Sequence, residues 1–77
     1  MVAYVLIQTA VGKGRDVTVA VGEVAGVTEA ESVTGPYDVI ARIETRDLSE
    51  LSKVVVGAIQ GIDGISRTLT CPIVHSA

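Results

Sequence analysis

Residues 2–7, Val2-Ala3-Tyr4-Val5-Leu6-Ile7, form an unbroken apolar run. A run this short, rich in β-branched residues and without alternation, reads as a strand covered on both faces. Helices of the same chain can cover one face. The other face needs a partner, and the rest of the chain supplies little. Its 77 residues make one domain. A chain this short buries only about 60% of its unfolded surface. Yet it is 48% hydrophobic, with a mean hydropathy of +0.51. Nearly all of that is Val, Ile, Leu and Ala, with no Phe or Trp. Cys71 and His75 each occur once, so neither a disulfide nor a metal-ligand cluster staples the domain. Oligomerisation is the remaining remedy. A sheet-to-sheet homodimer, isologous by symmetry, is expected.

The elements follow in order. Met1 to Thr9 is the first strand, broken by Gly12-Lys13-Gly14. Val17, Ala20, Val21 and Val24 then mark an amphipathic helix from about Lys13 to Val24. Gly26 is placed to end it as a C′ glycine. Val27 to Thr34 alternates and is the most polar strand, which suggests a sheet edge. Glu29 and Glu31 share a face with Val27 and Val33 in this reading. A tight turn at Gly35-Pro36 leads to a return strand, Tyr37 to Glu44, with Tyr37, Val39, Ala41 and Ile43 on one face.

Asp47 with Glu50 resembles a capping box and starts a second helix. Its apolar stripe is Leu48, Leu51, Val55, Ala58, Ile59 and Ile62, and Gly61 or Gly64 stops it. Ile65 to Val74 is the last strand, and Pro72 marks it as another edge. Val24-Ala25-Gly26-Val27 and Ile62-Asp63-Gly64-Ile65 form a weak repeat, each joining a helix to a strand through a glycine. The order β-α-β-β-α-β with right-handed crossovers is a ferredoxin-like α+β sandwich. Strands one and three lie in the centre, two and four at the edges, and both helices on one face.

The net charge is −3. The basic residues are scattered without aromatic interleaving, which argues against direct nucleic-acid binding. No apolar run reaches the roughly 18 residues that span a membrane, and no signal peptide is expected. A cytoplasmic protein fits, and a lone Cys fits a reducing compartment.

Few residues carry candidate chemistry. His75 reads as a frayed-end imidazole without a positioned partner. Cys71, beside Pro72, reads as a small buried thiol. Gly12-Lys13-Gly14 could receive an anion but lacks the length of a phosphate loop, so a plain helix entry is favoured. Glu29 and Glu31 could act as paired acids or be solvated edge charge. Thr68 and Thr70 put two hydroxyls on one strand face. The turn Val33-Thr34-Gly35-Pro36-Tyr37-Asp38 joins an aromatic face, a carboxylate and turn amides. Locally, Tyr37 reads as core and Asp38 as satisfying its own turn. The alternative is recognition of a small zwitterion.

The chain as a whole resembles the effector-binding (RAM) domain of the Lrp/AsnC transcription regulators. The residues that carry the resemblance are that turn, the Leu48…Leu51 helix start, Ile59-Gln60-Gly61-Ile62-Asp63-Gly64-Ile65, and Arg67-Thr68-Leu69-Thr70. The resemblance implies a sandwich that dimerises through its sheets, dimers that assemble into rings, and an amino-acid effector bound between dimers. By motif match Gly35, Tyr37 and Asp38 fall in the effector region, with Thr68 and Thr70 as a second wall. No cofactor is implied. Residues 1–77 form one ligand-binding domain without the family's helix-turn-helix, so DNA would be reached through a partner, such as a full-length regulator of the family. Two rivals stand beside this sensing role: a small cofactorless enzyme of the dimeric αβ-barrel type, and a purely structural assembly partner.

Overall fold

The apolar run becomes strand β1 (Val2–Thr9) and is paired on both edges. Strand β3 (Val39–Glu44) lies antiparallel on one side and β4 (Ile65–Pro72) on the other. Strand β2 (Val27–Ser32) lies outside β3, giving the order β2-β3-β1-β4. Helix α1 (Gly14–Gly22) links β1 to β2. Helix α2 (Leu48–Val54) follows β3 and continues directly into a π-turn over Val55–Ile59. This is the ferredoxin-like α+β sandwich expected. The structure, a computed structural model, describes residues 1–74, so the expectation for His75 lies outside the described residues.

Alternation along β1 divides the sheet into two faces. Ala3, Val5 and Ile7 are fully buried beneath the helices, together with Val39, Ala41 and Ile43 of β3. Val17 and Val21 of α1 close one half of this core, and Leu51, Val55 and Ile59 the other. The last three are spaced by four. Four residues of α-helix overshoot a full turn by roughly 40°. The wider i→i+5 ring of the π-turn undershoots instead. One α step followed by one π step therefore keeps Leu51, Val55 and Ile59 on the same line. Leu48 and Ala58, expected in the stripe, are exposed.

The start of α2 forms the Asp47 half of the expected capping box, while the Glu50 carboxylate accepts from Arg46 Nε at 2.7 Å. Asp47 has extended backbone, and the Glu50 N–H donates to its Oδ1 at 2.8 Å. Asp47→Ala should cost about 1 kcal/mol of unfolding free energy, read as a lower urea midpoint with an unchanged m-value. The internal repeat is a repeat of backbone. Gly26 and Gly64 both sit at φ 96°. The Val24 carbonyl accepts from the Val27 N–H at 3.1 Å, and the Ile62 carbonyl from the Ile65 N–H at 3.4 Å. Gly26 is thus a corner after the helix and not its C′ residue, because α1 already ends at Gly22.

Two further expectations are corrected. A bulge between Val27 and Glu29 interrupts β2. Val27 and Ala30 pack on the core, while Glu29 and Glu31 sit opposite Arg42 and Ile40, on the other face. The extra residue flips the alternation, which sequence period alone does not show. The link from β2 to β3 is also no tight turn. It spans residues 33–38 and is closed by the Val33 N–H donating to the Asp38 carbonyl at 2.9 Å, which leaves Tyr37 outside β3, half-buried.

The face away from the helices carries Tyr4, Leu6, Ile40 and Leu69 in neighbouring register positions. Tyr4 is 40% and Leu69 43% exposed. Cys71, opposite Tyr4, is exposed and not buried as expected. Beyond the apolar centre, Arg42 binds Glu44 at 2.9 Å, and this hydrogen bond pushes the guanidinium pKa upward.

Candidate functional site

The loop holding Gly35, Tyr37 and Asp38 is fastened to the end of β1. Gln8 Nε2 donates to the Pro36 carbonyl at 2.9 Å, and the Asp38 N–H to the Ile7 carbonyl at 2.9 Å. Asp38 Oδ2 accepts the Thr9 N–H at 2.8 Å and the Thr9 hydroxyl at 3.2 Å. The carboxylate therefore serves β1 and not its own turn, correcting the local expectation. Gly35 sits at φ 150° with open space where a side chain would stand. Gln8 and Thr9 had no part in the sequence reading of this loop. Their only signal is that they are the first polar residues after the apolar run.

Thr68 and Thr70 lie across β1 from that loop, on β4. They pair with Ile7 and Val5, which places both on the helix-covered side. Gln60, at the end of the π-turn, donates from Nε2 to Thr68 Oγ1 at 3.0 Å. Thr70 borders a hollow of about 340 Å³ between α2, the π-turn and β4. Leu48, Leu51, Val55, Val56 and Pro72 give it an aliphatic wall. Ser52, Gln60 and Thr70 give it neutral polar groups. A smaller depression of about 170 Å³, which shares Gln60, adjoins Thr68 and Arg67. Among the described residues no hydrogen bond joins the Gly35 loop to Thr68 or Thr70. One chain thus offers two separate groups of candidate residues, one on each flank of β1.

An antiparallel sheet with two helices on one face and an apolar centre on the other, Tyr4, Leu6, Ile40 and Leu69, defines a ferredoxin-like α+β domain. The family model of the Lrp/AsnC ligand binding domain matches residues 2–77. The chain belongs to that family. The HTH-type transcriptional regulator FL11 of Pyrococcus furiosus is 30% identical over 77 residues, covering 97% of this chain and 50% of that protein. TTHA0845 from Thermus thermophilus superposes with a TM-score of 0.94 at 34% identity, covering 99% of this chain and 95% of that one. The transcriptional regulator NMB0573 of Neisseria meningitidis, solved as an L-Met complex, superposes with a TM-score of 0.84. It shares the fold at 14% identity, covering 96% of this chain and 49% of that one. The chain spans about half the length of the curated regulators it matches first. No helix among the described residues is long and apolar enough to cross a membrane.

Proposed function

We propose that this Lrp/AsnC ligand-binding domain is a cytoplasmic amino-acid sensor that works as a homodimer and as a larger assembly of dimers. The observation that carries the reading is the separation of the two candidate groups. The Gly35 loop and the Thr70 hollow flank β1 on opposite sides, so a site using both is completed only by another copy. The loop amides and Tyr37 of one subunit then meet the threonines of the next. Asp38 Oδ2 is engaged by Thr9, which leaves Oδ1 for a ligand ammonium. The described residues show no helix-turn-helix. A full-length regulator of the same family is the partner we propose for any action at DNA.

The enzyme alternative needs a base facing a cavity; among the described residues the hollow is lined by aliphatic side chains with Ser52, Gln60 and Thr70. Isothermal titration of the assembled protein with the common amino acids tests the reading. One or more should bind, and Tyr37→Ala should weaken binding by about tenfold, or 1.4 kcal/mol, with the subunit number unchanged. Tyr37 is the cleaner probe, because removing the Asp38 carboxylate also releases the loop from Thr9. An assembled protein that gives no heat with any amino acid would leave the purely structural role.

A further inference from the structure

We propose that charge on the open sheet face fixes how two copies of this chain pair. The β2 edge of one subunit seats against β4 of the other, with Glu29 and Glu31 meeting Arg67 of the partner subunit. The inference rests on the homodimer proposed above and adds which way its two sheets meet. Glu29 and Glu31 sit opposite Arg42 and Ile40, on the face away from the helices. Arg67 sits opposite Gln8 on the same face. All three are exposed. The ion pairs among the described residues join Lys13 to Asp63, Arg42 to Glu44 and Arg46 to Glu50. Within those residues, Glu29, Glu31 and Arg67 have no charge partner.

Nor do they pair with one another in a single chain. Strands β2 and β4 are the outer two of the order β2-β3-β1-β4, so three strand spacings, about 14 Å, separate them. Side chains that stand upright on a sheet do not meet across that distance. A twofold dimer changes the geometry. An isologous contact through this face puts the axis in the plane between the sheets. With the axis along the strands, β2 of each copy lies over β4 of the other. The glutamates then reach the partner subunit's Arg67 across sheets about 10 Å apart. With the axis across the strands, β2 lies over β2. The glutamates of the two copies crowd one another, and Arg67 meets no carboxylate. The apolar centre at Leu6 and Ile40 is covered in both arrangements, so burial does not choose between them. Charge does, because like charges juxtaposed at an interface are strongly disfavoured.

The test is a charge swap followed by sedimentation across a range of concentrations. Arg67→Glu in one chain, and Glu29→Lys with Glu31→Lys in another, should each weaken self-association by about tenfold. An exposed ion pair contributes little singly, but symmetry counts each one twice. Mixing the two variant chains in equal amounts should restore pairing, because every facing charge is then opposite. Native mass spectrometry should show a dimer of mixed composition in excess over either variant's own dimer. The substituted positions are exposed, so the variants are expected to fold, which circular dichroism checks. If Arg67→Glu does not fold, Arg67→Gln replaces it, with a smaller loss and the same preference for the mixed dimer. Unchanged self-association of both variants, or a mixture with no excess of the mixed dimer, overturns this pairing and leaves the homodimer standing. An unmodified protein that stays monomeric overturns both.

Discussion

Gly64→Ala should destabilise the domain by about 2–4 kcal/mol, while Gly26→Ala should cost only about 1–2 kcal/mol. Both glycines sit at φ 96°, so both substitutions carry the same backbone strain. Their surroundings differ. A Cβ at Gly26 would meet nothing nearer than Val54 Cγ2 at 3.5 Å, an ordinary contact. At Gly64 it would stand 3.0 Å from Lys13 Cβ and 3.1 Å from Val17 Cγ2. Val17 is fully buried and Lys13 caps α1, so neither yields without moving that helix. For a domain whose total stability is on the order of 5–15 kcal/mol, the larger loss is a visible fraction. Paired urea melts of the two variants measure the difference. Equal losses would mean that α1 gives way freely, and that the second corner is not the tighter one.

Leu69→Asp should dissociate the proposed dimer while leaving the subunit folded. Leu69 lies opposite Leu6 on the face away from the helices and is 43% exposed in the single chain. A carboxylate there meets water in the monomer. In a sheet-to-sheet dimer it would be desolvated without a counter-charge, and twofold symmetry doubles the loss. Sedimentation at micromolar concentration should shift from a multiple of the subunit mass to the 8.0 kDa chain. Amino-acid binding should fall with it, because the proposed site is shared between copies. An unmutated protein that already sediments as a single 8.0 kDa species would remove the dimer altogether.

The sheet order and the central place of the first strand were legible because they rest on contrasts in apolarity between strands. Val2–Ile7 has no polar face, while Val27–Ser32 carries two glutamates. The cap at Asp47 was legible because capping is local chemistry between residues near in sequence. What escaped was set by one-residue events. The bulge at Thr28 moves Glu29 and Glu31 to the opposite face from Val27, and no composition rule marks it. The π-turn keeps Ile59 in line with Val55 and leaves Ala58 in solvent, against an α-helical count. The Asp38–Thr9 clasp is a contact between distant parts of the chain, so the carboxylate was read as serving its own turn. For the candidate site, the individual residues rest on motif alone. The hollow was not, because it is made by the facing of α2 on β4.

The position of β1 has a consequence for how the chain comes to be folded. It is made before both of its neighbours in the sheet, β3 and β4. Its pairing with β4 runs from Ala3–Pro72 to Thr9–Ile65 and so joins the two ends of the chain. Until those residues exist, the most apolar segment of the protein has two unpaired edges. Contacts of such long sequence separation form late, and an exposed strand of this composition invites pairing with its copies. A strand made before both of its partners is thus completed only when the last of them arrives, and Val2–Ile7 is where nascent chains would stick to one another.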